Sequence, residues 1–180
     1  MRLLGVVLAG GAARRFGSDK AEALWAGRRL IDHATAALAP HVETVAICGR
    51  TVADRLSLPD LPAPGLGPLG GLAGALDHAA RHGFDAVLST ACDVPQLPED
   101  AVAMLLAAGE GACLAELPVA GRWPARLAGP LLAYLAGDDR SVRGFARGAG
   151  VAMIRLGRPI ANVNTPEDLA ALASRPVRPE

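Results

Sequence analysis

The apolar residues from Leu3 to Ala9 run without polar alternation. Successive side chains of a strand point to opposite faces, so an unbroken apolar run of this length predicts a strand covered on both sides. Ala86 to Ala91 has the same character and predicts a second buried strand. Val42 to Cys48, Leu56 to Leu58, Ala112 to Leu117 and Val151 to Leu156 predict further strands. Between these runs the period changes. Leu30, Ile31, Ala34, Ala37 and Leu38 fall at helical spacing and predict a helix over 29–38. Residues 72–81, 99–108, 127–135 and 142–147 predict four more. Gly83 closes the first of these, and Asp139 or Ser141 caps the last. Thr165-Pro166-Glu167-Asp168 opens a final helix, with Thr165 as N-cap, Pro166 at the first helical position and Asp168 as the returning carboxylate of a capping box. The Pro/Gly-rich stretch 61–71 predicts a loop without regular structure.

Alternating strands and helices predict an α/β fold, a single three-layer α/β/α domain with a mostly parallel, Rossmann-like sheet. The domain spans 1–174 and is followed by a Pro-rich tail, 175–180. Ligands of such sheets bind at the carboxyl ends of the strands. The loop after Leu8, the carboxylate of Asp60 and that of Asp93 all fall at predicted strand ends, so one pocket can gather them.

Composition narrows the possibilities. The chain has 180 residues with 18 basic and 18 acidic side chains, so its formal net charge is zero. A nucleic-acid binder needs a basic surface, and an aromatic content of 3% leaves little for stacking on single strands. Nucleic acid is therefore not an expected partner. Cys48, Cys92 and Cys113 form no C-x-x-C pair, which predicts small buried hydrophobes in a reducing, cytoplasmic setting. The N-terminal apolar run is short and meets Arg14-Arg15 at once, unlike a secretory leader. No stretch approaches the roughly 20 apolar residues of a membrane span, and no membrane association is expected.

The candidate chemistry starts in the loop after the first strand, Leu8-Ala9-Gly10-Gly11-Ala12-Ala13-Arg14-Arg15-Phe16-Gly17-Ser18-Asp19-Lys20. It lacks the closing Gly-Lys-Ser/Thr of a P-loop and the spacing of the dinucleotide fingerprint. Its glycines still allow backbone N–H groups to approach a polyphosphate closely. Arg15 offers a bidentate fork to phosphate oxygens, and Lys20 a point charge. Asp93, at the end of the strand 86–91, is placed to hold Mg²⁺, a hard cation that bridges substrate phosphates. Arg140, Arg143 and Arg147 share a helix face and, with Arg122 and Arg126, are candidates for a second phosphate; a solvated face balanced by Asp138 and Asp139 is the commoner reading of such a charge run. His78 and His82 are spaced i, i+4 but have no third ligand nearby, so a solvated face is the expected reading.

Four motifs in order carry a family resemblance. They are the loop Leu8 to Lys20, Asp60 ahead of Gly67-Pro68-Leu69, Cys92-Asp93-Val94-Pro95, and Asn162-Val163-Asn164-Thr165-Pro166-Glu167. The chain resembles the molybdenum cofactor guanylyltransferases over nearly its whole length. The resemblance implies a nucleotidyltransferase domain that moves GMP from GTP to the terminal phosphate of molybdopterin and releases pyrophosphate. It implies that Leu8, Ala9, Gly10 and Gly11 line the nucleotide through backbone groups, that Lys20 and Arg15 hold its phosphates, and that Asp60 contacts base or ribose. It also implies Mg²⁺ on Asp93, and Asn162 and Asn164 closing the reaction centre. Molybdoenzymes or other cofactor-biosynthesis proteins are the implied protein partners. One departure stands out: the family often carries an asparagine after its second strand, close to the guanine, whereas Val45-Ala46-Ile47-Cys48-Gly49-Arg50 has none. Alternatives are a CTP-dependent molybdopterin cytidylyltransferase, whose loop usually reads L-A-A-G, a sugar-phosphate nucleotidyltransferase, and a non-catalytic nucleotide-binding module.

Overall fold

Leu4, Val6 and Leu8 of the first strand pack to one side of the sheet and Val7 to the other, which is why their run lacks alternation. The computed structural model describes residues 1–10 and 20–173. In chain order the elements are β1 (Leu3–Leu8), β2 (Leu24–Trp25), β3 (Arg28–Arg29), α1 (Leu30–Leu38), β4 (Thr44–Cys48), β5 (Leu56–Leu58), α2 (Pro68–Arg81) and β6 (Ala86–Ala91). They continue with α3 (Glu99–Ala107), β7 (Ala112–Leu114), β8 (Gly121–Pro124), α4 (Ala128–Leu135), α5 (Val142–Gly148), β9 (Ala152–Ile154) and α6 (Pro166–Ala173).

Seven strands form one sheet in the order β5-β4-β1-β6-β8-β7-β9. β5, β4, β1 and β6 are mutually parallel. β8 runs antiparallel to both β6 and β7, and β9 is parallel to β7. The sheet is thus mixed and mostly parallel. Residues of α2, α4 and α5 cover one face, and residues of α1 and α3 cover the other. This is the expected α/β/α layering. Among the described residues no helix is long and apolar enough to cross a membrane.

Three differences from the sequence expectation have physical causes. β8 is absent from that expectation, because Gly121, Arg122 and Pro124 are poor strand residues. It forms because tertiary partners satisfy it. The fully buried Trp123 donates its indole N–H to Ser89 Oγ at 2.9 Å, and Arg122 donates to the Ala108 carbonyl at 2.5 Å. Second, α2 begins at Pro68, inside the predicted loop. Proline at a first helical position loses no hydrogen bond, and Gly67 supplies the turn with φ of 66°. Third, β7 and β9 stop short, at Leu114 and Ile154. The Glu116 carboxylate accepts from the Leu156 and Gly157 amides, 3.1 Å each, and draws the chain out of the ladder.

The predicted caps are present. Ser141 Oγ accepts from the Gly144 amide at 3.1 Å. Thr165 Oγ1 accepts from the Asp168 amide at 3.2 Å while Asp168 Oδ2 accepts from the Thr165 amide at 2.9 Å, a reciprocal capping box.

Candidate active site

The register of the parallel strands fixes the rim on which the site stands. Leu8 pairs with both Cys48 and Ala91, and Cys48 pairs with Leu58. The residues that follow each strand therefore emerge side by side: Ala9-Gly10, Gly49-Arg50, Pro59-Asp60 and Cys92-Asp93. Three strand spacings separate β5 from β6, about 14 Å, so Asp60 and Asp93 follow strands roughly that far apart along one rim.

At the β5 end, two loops touch backbone to backbone. Gly49 has φ of +84°, and a Cβ there would collide with the Cα and amide nitrogen of Gly10. Only glycine fits both conditions. The Ala9 amide donates to the Cys48 carbonyl at 2.9 Å, and the Leu8 carbonyl accepts from the Cys92 amide at 3.1 Å. Leu8 and Ala9 thus hold the rim together through those groups. Beside them opens a groove of about 690 Å³ lined by Gly10, Gly49, Arg50, Asp60, Gly65 and Gly67, among others. Asp60 packs against the first turn of α2, where Gly70 and Gly71 leave it room. Its Oδ1 is buried and has no hydrogen-bond partner among the described residues. Burial raises the Asp60 carboxyl above its ordinary range, opposed by the Gly65 N–H. Burial, with the Asp60 charge adding to it, also pushes the neighbouring Cys48 thiol up to about 12. That thiol is chemically quiet, as expected of a small buried hydrophobe.

At the β6 end, Lys20 opens a 3-10 turn, Lys20–Glu22. Its ammonium donates to Asp93 Oδ2 at 3.0 Å and to Asn164 Oδ1 at 2.8 Å. The Lys20 and Asp93 side chains are 16% and 24% exposed, so the pair is sheltered yet open to a ligand. The Asp93 carbonyl accepts from the Val163 amide at 2.8 Å. Val163 is buried with Trp25, Leu30 and Leu172, which pins the Asn162–Asn164 segment between the β2–β3 hairpin and α6. Asp168 Oδ2 accepts from the Asn164 amide at 2.8 Å, and that bond with the one from Thr165 holds the Asp168 carboxyl below its ordinary range.

An ionic chain secures the Lys20 turn from behind. Glu22 meets Arg29 at 3.2 Å and Arg50 at 3.7 Å. Arg29 in turn meets Asp32 at 2.7 Å, and Asp32 meets Arg55 at 2.8 Å. The Arg29 hydrogen bond holds the Asp32 carboxyl below its usual range. The sequence signals for Glu22 and Arg50 are weak, since isolated charges near a short turn look like solvated surface.

Of the residues singled out from sequence, Lys20, Asp93 and Asn164 form one bonded cluster, and Gly10 and Asp60 share the groove. Asn162 stands outside the bonded cluster. Gly11, Arg14 and Arg15 lie outside the described residues. Of the five arginines suggested for a second phosphate, Arg122, Arg126, Arg140 and Arg143 are held at different places. Pro124 pairs with Ala86 at the start of β6, so the segment after β8 belongs to the opposite rim. There Arg126 pairs with Glu110 at 2.5 Å. Arg122 is buried on Ala108. Neither reaches Asp93, because the unforeseen strand β8 reverses the chain. Arg140 is bound to the Leu135 carbonyl. Arg143 donates to the Ala115 carbonyl at 2.6 Å, just beyond β7 and on the Asp93 rim. His78 and His82 stack on each other, and the described residues contain no cluster of three or more metal-ligating side chains.

A family model described as the MobA-like NTP transferase domain matches residues 5–152. The chain belongs to this family. Membership makes it a nucleotidyltransferase. It is similar to the molybdenum cofactor guanylyltransferase of Cereibacter sphaeroides, 40% identical over 189 residues that cover 97% of both chains. It is equally similar to that of Rhodobacter capsulatus, 40% identical over 185 residues with the same coverage. In fold it matches molybdopterin-guanine dinucleotide biosynthesis protein A from Archaeoglobus fulgidus, with a TM-score of 0.71 at 21% identity over 94% of this chain and 95% of that one. The 2-C-methyl-D-erythritol 4-phosphate cytidylyltransferase from Thermus thermophilus has the same architecture, with a TM-score of 0.69 at 16% identity, covering 94% of this chain and 96% of that one.

Proposed function

We propose that the chain transfers GMP from GTP to the terminal phosphate of molybdopterin, releasing pyrophosphate and forming molybdopterin guanine dinucleotide. The observation that carries this reading is the Lys20–Asp93–Asn164 cluster, which stands on the same sheet rim as the groove beside Asp60. A nucleotide laid along that rim has its base at the β5 end and its phosphates at the β6 end.

The reaction is an in-line displacement. A phosphate oxygen of molybdopterin attacks the α-phosphorus of GTP. The bond from that phosphorus to the β-phosphate bridging oxygen breaks, and pyrophosphate leaves with the electron pair. The nucleophile is already anionic, so no general base is needed. The work of the protein is positioning and charge stabilisation. Lys20 and Arg15 take the charge of the departing pyrophosphate. Asp60 accepts hydrogen bonds from the base, and the glycine contact between residues 10 and 49 keeps the floor of the groove free of side chains. Leu8, Ala9 and Gly10 present backbone around the nucleotide, and Gly11 is assigned to the same ligand. Asn162 and Asn164 flank the acceptor, and Asn164 also orients the Lys20 ammonium.

Family membership implies that the transfer depends on Mg²⁺. The donor set fits: Asp93 is a partly exposed carboxylate at a strand end, and Mg²⁺ is commonly held by one or two carboxylates together with substrate phosphates and water. Asp93 would hold it, and bound Mg²⁺ would neutralise charge on the phosphate oxygens. We place the chemistry in the cytoplasm, in keeping with three cysteines that form no disulfide. A molybdoenzyme or another cofactor-biosynthesis protein would receive the product.

Pyrophosphate release from GTP and from CTP, each with molybdopterin and Mg²⁺, tests the reading. Release with GTP is expected. Preference for CTP would replace it with cytidylyl transfer, and no release with either would leave a binding module.

A further inference from the structure

The groove at the β5 end contains, among the described residues that line it, one cation and one carboxylate: Arg50 and Asp60. Other side-chain donors there are weak candidates for reading a base. Ser57 Oγ is engaged, accepting from the Val52 amide at 3.0 Å and donating to the Arg55 carbonyl at 3.3 Å. Thr51 is exposed. Neither β4, which leads into the groove, nor Gly49-Arg50 after it carries an amide side chain. Arg50 is only 23% exposed, and Glu22 Oε1 stands 3.7 Å from its Nη1. Glu22 also meets Arg29, so the acid that steadies Arg50 is itself fixed.

Guanine presents two kinds of polar edge side by side. N1–H and the N2 amine donate, whereas O6 and N7 accept. A carboxylate satisfies the first pair, and a guanidinium fork satisfies the second. Adenine and cytosine each place an amine where guanine has O6, and an arginine directed there opposes a donor. We propose that Arg50 is a specificity-determining residue that donates to O6 and N7 of guanine while Asp60 accepts from the N1 and N2 side. This rests on the reading that GTP is the nucleotide. It assigns to Arg50 the discrimination that the missing asparagine leaves open.

The test is equilibrium binding of GTP and 7-deaza-GTP, with Mg²⁺, to the wild type, Arg50→Ala and Arg50→Lys. The 7-deaza analogue lacks the N7 acceptor and differs little otherwise. Wild type is expected to bind it about tenfold more weakly than GTP, within the range for a bidentate base contact. In Arg50→Ala, GTP affinity falls by about tenfold or more and the penalty for 7-deaza-GTP disappears. Arg50→Lys keeps the charge but loses the fork, so it does not restore GTP affinity. The proposal is overturned if wild type shows no penalty, if the penalty persists in Arg50→Ala, or if lysine restores full affinity. Failure of the underlying reading shows separately: wild type would then bind CTP better than GTP, or bind neither.

Discussion

Lys20 Nζ lies 3.0 Å from Asp93 Oδ2, although the two residues are 73 positions apart in sequence. Ion pairs of this partly exposed kind contribute about 1 kcal/mol or less to stability. Under the proposed function, their role is to set a cation beside the carboxylate where phosphates would be held. Lys20→Ala and Asp93→Asn are therefore expected to lower turnover by about 10²–10³-fold or more, the cost of losing a transition-state donor elsewhere. Their melting temperatures should move by no more than roughly 2–4 °C, since each kcal/mol shifts a domain of this size by about that much. Steady-state pyrophosphate release and thermal melting, measured on the same preparations, check both halves. A large loss of stability would make the pair structural instead.

Asp60 carries the opposite trade. Burial holds its carboxyl above the ordinary range, so the folded protein binds that proton more tightly than the unfolded chain does. The associated stability is fully present below the unfolded carboxylate pKa and is lost as pH rises through the folded value. At neutral pH the ligand-free protein therefore bears the ionised group at a cost. Asp60→Asn should raise the melting temperature at pH 7, with the gain fading toward the carboxylate range, and should weaken GTP binding. Melting curves at pH 4 and pH 7, alongside nucleotide titration, reveal whether the two effects have opposite signs.

The contact between Gly10 and Gly49 leaves no space for a methyl group. Gly49→Ala would drive Cβ into the Gly10 backbone from a residue with φ of +84°. The strain is expected to cost about 1–3 kcal/mol. It should also move the loops apart and weaken nucleotide binding. Gly65→Ala is the matched control. It also has positive φ, but a Cβ there meets nothing within 4 Å, so any closing of the groove must come from backbone strain alone. Equal effects from both variants would argue against the steric account.

Asp168 supports the site from behind by accepting from the Asn164 and Thr165 amides. These bonds lower its pKa, so its contribution is present above the unfolded carboxylate value and is lost as pH falls through the lower folded value. Asp168→Ala should flatten the acid side of the stability profile. It should also reduce turnover by up to about 10²-fold, the effect of displacing a reacting group by about 1 Å. Unchanged turnover would detach the capping box from the site.

How far the sequence reveals this depends on the length scale of each feature. Leu3–Leu8 and Ala86–Ala91 are legible because both faces of a central strand are buried, and unbroken apolar runs record that directly. β8 is not, because Arg122 and Trp123 become strand residues only when Ala108 and Ser89 supply their partners. The motif residues of the site can be picked out one by one. Their assembly cannot, since the bond from Lys20 to Asn164 closes 144 residues of chain. The Arg122 and Arg126 expectation fails for the same reason as β8: an unforeseen reversal carries them to the other rim. Glu22 and Arg50 stay hidden because a charge steadied by tertiary contacts and a charge in water look alike in a string of letters.

The most direct measurement follows the α-phosphorus. Wild-type protein is incubated with Mg²⁺, molybdopterin and GTP labelled at that atom. One labelled dinucleotide is expected for each pyrophosphate released, with the label between guanosine and pterin. Pyrophosphate without labelled dinucleotide, or labelled product only when CTP replaces GTP, would contradict the proposed transfer.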